Sequence, residues 1–87
     1  MKELTYFYLA GCPFCRAADK MLEELETENP EFSKIPIKKI EERENAALAN
    51  RYDYYYVPCF WLGTQKLHEG AAAKEKLRGI LEEALIS

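Results

Sequence analysis

Leu9-Ala10-Gly11-Cys12-Pro13-Phe14-Cys15-Arg16-Ala17-Ala18 decides how the rest of the chain is read. Two cysteines stand two residues apart, after the apolar, β-rich run Leu4 to Leu9 and at the start of an amphipathic helical pattern. The first turn of a helix leaves backbone N–H groups unpaired and carries a partial positive charge. A thiolate at Cys12 is stabilised there, so its pKa should fall and more of it should be nucleophilic at neutral pH. Pro13 suits the first helical position, where its missing N–H is no loss. Cys15 follows one turn later on the same face, within disulfide reach. Such a pair supports thiol–disulfide exchange: Cys12 attacks a disulfide, and Cys15 then displaces the product from the mixed disulfide. The competing reading is half of a zinc knuckle, which needs four ligands, usually in two close-spaced pairs. The only other soft ligands are Cys59 and His68, which form no second short-spaced pair, so no metal is expected.

Composition narrows the class. A chain of 87 residues with 48% hydrophobic and 31% charged content reads as one globular domain, 1–87, with a core of its own. A net charge of −3, without a basic run, gives no case for nucleic acid or an anionic membrane. Met1-Lys2-Glu3-Leu4 lacks the apolar core and cleavage site of a signal peptide, and no apolar stretch reaches membrane-spanning length. Three cysteines, only two of them close together, are not a disulfide framework, so a reducing cytoplasm is the expected location.

Around the motif, periodicity predicts the order β-α-β-α-β-β-α. Lys2 to Leu9 reads as a buried strand. From Pro13 to about Glu28, Phe14, Ala17, Ala18, Met21, Leu22 and Leu25 recur at helical spacing, until Asn29-Pro30 stops the pattern. Phe32 to Ile40 reads as a second strand, with Ile35 and Ile37 on one face and Lys38 and Ile40 on the other. Pro36 removes a ladder donor and so calls for an edge position or an outward-facing nitrogen. Glu41 to Asn50 reads as a short second helix with a thin core, and Ala71 to Leu85 as the last helix. Between them, Cys59 to Leu62 and Gln65 to Glu69 form a hairpin across Gly63-Thr64, a type II′ turn. The first β-α-β unit must be parallel and right-handed. The expected fold is therefore α/β, with a four-stranded mixed sheet and helices on both faces. A regular two-residue turn pairs Leu62 with Gln65, Trp61 with Lys66, Phe60 with Leu67 and Cys59 with His68. On that register the odd cysteine faces the only histidine, near Cys12, as a third reactive thiol or part of a soft-metal trap; the alternative is a buried structural cysteine beside a surface histidine.

These residues resemble the thioredoxin superfamily over nearly the whole chain. Cys12-Pro13-Phe14-Cys15, with Ala18 and Leu22 following, is similar to the glutaredoxin motif, which usually carries Tyr at Phe14. Asn45-Ala46-Ala47-Leu48-Ala49-Asn50-Arg51-Tyr52, ending at Val57-Pro58, resembles the thioredoxin segment running into its cis-proline. Gly70-Ala71-Ala72-Ala73-Lys74-Glu75-Lys76-Leu77 resembles the last thioredoxin helix. The resemblance implies the thioredoxin fold, sheet order 2-1-3-4. Departures are specific. Thioredoxins hold Trp at the position of Gly11 and a buried Asp at that of Tyr6. Where glutaredoxins contact glutathione with a Lys before the motif, a Thr before Val-Pro and a Gly-Gly-Asp, this chain has Leu9, Tyr56 and His68-Glu69-Gly70. Arg51 or the Val57 backbone is the partial substitute.

With the cysteine pair, the resemblance implies a cis Val57–Pro58 peptide facing the thiols, with the Val57 backbone pairing to an incoming peptide or glutathione as a strand would. Pro13, Phe14, Tyr56, Val57 and Pro58 are the expected substrate-binding residues, and Cys12 and Cys15 the catalytic ones. Of the three tyrosines before Val57, Tyr54 is expected inside and Tyr56 near the cysteines. Phe14 reads either as an exposed contact for partners or as a first-turn residue tucked against the sheet. Arg16 reads either as a charge that stabilises Cys12 or as a solvated helix residue, and Trp61 as core. The expected activity is that of a thiol–disulfide oxidoreductase acting on protein or glutathione mixed disulfides. It would be a monomer with no tightly bound cofactor, with glutathione (as co-substrate) or a thioredoxin reductase as electron donor. The alternative is a non-catalytic thioredoxin-fold module, holding an iron–sulfur cluster or serving as an adaptor.

Overall fold

The computed structural model describes all 87 residues. In chain order it contains β1 (Leu4–Tyr8), α1 (Pro13–Glu28), a 3-10 helix (Pro30–Lys34), β2 (Ile37–Glu41), α2 (Ala46–Ala49), β3 (Cys59–Leu62), β4 (Gln65–Glu69) and α3 (Lys74–Ile86). The strands form one sheet of order β2-β1-β3-β4. β1 and β2 are parallel, from Leu4 opposite Ile37 to Tyr8 opposite Glu41. β1 and β3 are antiparallel, from Leu4 opposite Leu62 to Phe7 opposite Cys59. This is the expected architecture, with one added 3-10 turn.

Alternation along the strands sends side chains to two separate cores. On one face Leu4, Tyr6, Phe60 and Leu62 pack under Leu22 and Leu25 of α1 and Leu77 and Leu81 of α3. On the other, Phe7, Ile40, Cys59 and Trp61 are covered by Ala49 of α2 with Leu48, Tyr52 and Tyr54. Trp61 is core, as expected. Phe60 is fully buried and stacks on Tyr6 with ring centroids 4.6 Å apart. Truncating a phenylalanine so placed to alanine costs about 3–5 kcal/mol.

Element boundaries differ from the sequence expectation where a side chain captures backbone groups. Asn29 leaves helical geometry (φ −136°, ψ 97°), and its side-chain oxygen accepts from the Glu31 N–H at 3.2 Å. Asn29 thus caps a new turn opened by Pro30, and Phe32 reaches the core from that 3-10 helix instead of opening β2. Pro36 precedes β2, and its carbonyl accepts the Leu4 N–H at 2.9 Å, so its missing donor costs the ladder nothing. β2 is an edge strand, as Pro36 required.

The second helix is shorter than Glu41 to Asn50. Glu41 ends β2, and its carboxylate folds back onto the N–H groups of Arg43 and Glu44, which makes 42–45 a turn and leaves only Ala46–Ala49 helical. α3 begins at Lys74, because Gly70 takes φ +91° and Ala71 to Ala73 round a corner.

The hairpin turn is two residues, with positive φ at Gly63 (+62°) and not at Thr64, the type II′ signature. Its register corrects one expectation. Leu62 pairs with Gln65 and Trp61 with Lys66, but a bulge follows, so Phe60 faces His68 and Cys59 faces Glu69. Leu67 is the extra residue on β4. Each later side chain moves one position, and His68 is turned away from Cys59.

Candidate active site

β1 delivers the chain to Cys12 at one end of the sheet. Cys12 is the N-cap of α1, in extended geometry (φ −76°, ψ 120°), and Pro13 occupies the first helical position. The Arg16 N–H donates to the Cys12 carbonyl at 3.0 Å, closing the first helical turn. Cys12 is half-buried and Cys15 fully buried, and both thiols are free. Their acidities are displaced in opposite directions. The Cys12 thiol lies below its ordinary value, chiefly through the Cys15 backbone N–H, assisted by the Cys15 thiol, the Phe14 N–H and the Arg16 charge. Burial pushes the Cys15 thiol up to about 12, with the Leu9 N–H partly offsetting it. One thiol is thus set to ionise and the other to stay protonated.

Two carboxylates hold the loops at this end of the sheet, and neither had a sequence signal beyond being acidic. Glu41 is buried, and its Oε2 accepts the Ala10 N–H at 3.0 Å, two residues before Cys12. Arg43 Nη2 donates to the Ala10 carbonyl at 3.3 Å, so the approach to Cys12 is gripped through both its N–H and its C=O. The Ala10 N–H is also the main cause that holds the Glu41 carboxyl below the usual range. Glu69 grips the other loop: its Oε2 accepts the N–H groups of Tyr55 at 2.7 Å and Tyr56 at 3.1 Å.

Register places the remaining expected residues. Cys59 pairs with Phe7, so Pro58, just before β3, lies at the end of the sheet where β1 leads to Cys12. Pro58 is buried, and the Val57–Pro58 peptide is cis, as expected. Phe14 is 59% exposed, so it is not tucked against the sheet, and Tyr56 is 67% exposed. Tyr54 is half-buried, stacked on Phe7 at 4.9 Å, with its hydroxyl donating to Glu42 Oε1 at 2.7 Å. Arg51, His68 and Cys59 take up separate positions. Arg51 lines a cleft with Trp61, Gly63 and Thr64, at the far end of β3 from Pro58. His68 Nε2 lies 3.0 Å from the Ala71 carbonyl, at the corner into α3. Cys59 is completely buried. Together with the bulge, these positions remove the facing Cys59–His68 pair. No three His, Cys, Asp or Glu side chains converge as metal ligands.

Solved structures share this architecture. The germline-specific thioredoxin Deadhead of Drosophila melanogaster superposes with a TM-score of 0.68 at 21% identity, over 93% of this chain and 78% of that one. The chain has the thioredoxin fold. A mutant thioredoxin from Halobacterium salinarum gives a TM-score of 0.69 at 24% identity, over 95% of this chain and 74% of that one. A thioredoxin-like protein from Clostridium perfringens gives 0.67 at 26%, over 97% and 71%. No protein-family model and no curated protein matches the chain. Within the thioredoxin fold, Cys12 and Cys15 stand where the first strand gives way to the first helix, and no helix is long and apolar enough to cross a membrane.

Proposed function

We propose that the chain is a thiol–disulfide oxidoreductase that reduces protein disulfides, or glutathione mixed disulfides, through Cys12 and Cys15. The observation that carries this reading is the placement of two free thiols one helical turn apart, Cys12 half-buried at the N-cap of α1 and Cys15 buried behind it. The Cys12 thiolate attacks one sulfur of the substrate disulfide. A Cys12–substrate disulfide forms, and the other substrate sulfur leaves as a thiolate that takes a proton. Cys15 then gives up its proton and attacks the Cys12 sulfur, releasing the second substrate thiol and leaving a Cys12–Cys15 disulfide. Two electrons from glutathione or a thioredoxin reductase restore the dithiol, so no tightly bound cofactor is needed.

Burial of Cys15 suits the second step, because a protonated, inaccessible thiol does not compete for the incoming disulfide. Val57 supports the groove: neither its N–H nor its C=O is hydrogen-bonded in the fold, and both are left for a strand-like partner. Pro13, Phe14, Tyr56 and Pro58 complete the groove on this reading. The proposed setting is a monomer in a reducing cytoplasm, where the dithiol persists.

The test is turnover. With a thiol reductant supplied, wild type should reduce insulin or a glutathione mixed disulfide, Cys12→Ser should be inactive, and Cys15→Ser should accumulate a mixed disulfide on Cys12. Activity retained in Cys12→Ser defeats the proposal. Comparison of glutathione with a reductase and NADPH identifies the electron donor.

A further inference from the structure

The segment entering Pro58 is tied to one corner of the fold, Glu69-Gly70. Besides the Tyr55 and Tyr56 amides on Glu69 Oε2, the Gly70 N–H donates to the Pro58 carbonyl at 2.9 Å. Glu69 Oε1 takes Lys66 Nζ at 2.9 Å, and the same ammonium donates to the Asp53 carbonyl at 3.2 Å. Gly70 has φ +91°, a conformation L side chains rarely adopt, and a Cβ built there would stand 3.7 Å from Tyr56 Cβ. Residues 53–58 are therefore held along their length from β4 and the turn after it.

The β-bulge makes this arrangement possible. A regular register would bring His68 opposite Cys59; the extra residue brings Glu69 there instead. Only an acceptor can be shared by two successive N–H groups, and a carboxylate oxygen accepts without a competing proton of its own. The result is a segment fixed in the backbone yet open at the surface. Tyr55 and Tyr56 are 83% and 67% exposed.

We propose that Glu69 is a positioning residue for substrate: by holding the Tyr55 and Tyr56 amides, it keeps Tyr56-Val57 as a preformed edge on which an extended, disulfide-bearing polypeptide docks at the Cys12 end of the sheet. This rests on the reading of the chain as a disulfide reductase. Preorganisation acts on binding, because an ordered edge spares the substrate the cost of ordering it. Glu69 touches neither thiol, so the chemistry at Cys12 is independent of it.

The experiment compares wild type, Glu69→Gln and Glu69→Ala in reduction of insulin with dithiothreitol as electron donor, together with amide exchange by NMR. In Glu69→Ala the KM for insulin should rise about three- to tenfold, with kcat within about twofold and the alkylation rate of Cys12 unchanged. Exchange of the Tyr55 and Tyr56 amides should speed up about tenfold or more, while that of Phe60 stays slow. Glu69→Gln, which keeps an acceptor oxygen, should lie between the two, and it carries the test if the alanine variant does not fold. An unchanged KM, a loss confined to kcat, or amides that exchange freely in wild type overturns the proposal. A wild type without turnover overturns the parent reading, and this one with it; turnover with an unmoved KM overturns this one alone.

Discussion

The hydroxyl of Tyr6 donates to Asp19 Oδ1 at 2.9 Å and lies 3.2 Å from the carbonyl oxygen of Cys15. One side chain of β1 thereby joins the first turns of α1 directly beneath the dithiol. The other Asp19 oxygen pairs with Lys39 of β2 at 3.1 Å, and that ammonium sits 4.6 Å from the centroid of the Tyr8 ring. A carboxylate from α1 thus reaches the neighbourhood of Cys15, although β1 offers only a phenol there. Burial and Asp19 keep that phenol protonated, its pKa raised well beyond the usual tyrosine range.

Tyr6→Phe should keep the ring stacked on Phe60 and lose only the hydroxyl. Removing one such buried hydrogen bond costs about 1 kcal/mol, whereas Tyr6→Ala, which also opens a cavity, costs about 3–5 kcal/mol. Urea denaturation of the three proteins checks the order. A Phe variant as stable as wild type shows that the hydroxyl contributes nothing beyond its ring.

Alkylation should follow the two thiols separately. A lowered thiol pKa means that thiolate is present at a pH where a cysteine with the ordinary value of 9.0 is still protonated. The iodoacetamide rate at Cys12 should therefore reach half its maximum below pH 9, with Arg16→Ala moving the midpoint upward. Cys15 should stay unmodified until the pH approaches about 12 or the protein unfolds. Mass spectrometry after limiting reagent at pH 7 decides the matter, and modification of Cys15 before Cys12 reverses the assigned roles.

Acid should release the Glu69 corner. The Lys66 ammonium, then the Tyr55 and Tyr56 amides, hold its carboxyl down to about 2, from an ordinary 4.5. A folded-state pKa below the unfolded one stabilises the fold above the unfolded value, and that contribution is lost as pH falls toward the folded value. The melting-temperature gap between wild type and Glu69→Gln should be full at pH 7 and shrink between about pH 4.5 and 2. A gap constant across that window means that ionisation of Glu69 does not support the fold.

What was legible in the chain was what repeats or excludes. The spacing of Ala18, Leu22 and Leu25 gave α1 its face, and the cysteine pair marked where that helix begins. Gly63 marked the hairpin turn, and Pro36 marked an edge strand. Less legible were features set by one side chain seeking distant backbone. Nothing local says that Glu41 folds back on its own turn and reaches Ala10, or that Glu69 captures amides 13 and 14 residues earlier. The bulge at Leu67 belongs to the same class. Alternation by itself does not announce the extra residue, and in the observed register it is Glu69, not His68, that takes the Tyr55 and Tyr56 amides.

Phe14→Ala should separate docking from folding. The ring is 59% exposed at the first turn of α1, so its loss should change stability by less than about 0.5 kcal/mol. If it contacts partners, KM for a protein disulfide should rise about threefold while the Cys12 alkylation rate holds. A thermal melt and steady-state kinetics on one preparation give both quantities. Lost stability with unchanged KM makes Phe14 part of the scaffold.

Cys59 should behave as a core residue. It has no exposed surface, is packed with Phe7, Ile40, Ala49 and Trp61, and its thiol is pushed up to about 12, mainly by burial. The bulge turns His68 toward Phe60, so no imidazole faces the sulfur to favour its thiolate. In reduced Cys12→Ser/Cys15→Ser protein, a maleimide should therefore reach Cys59 only through opening of the fold. Labelling should be far slower than that of a free thiol, accelerate with urea below the unfolding midpoint, and be unchanged by His68→Ala. If Cys59 labels in native buffer at the rate of an exposed cysteine, the packing around α2 opens far more readily than these contacts imply. A rate that falls in His68→Ala restores the pairing of Cys59 with His68 that the observed register removes.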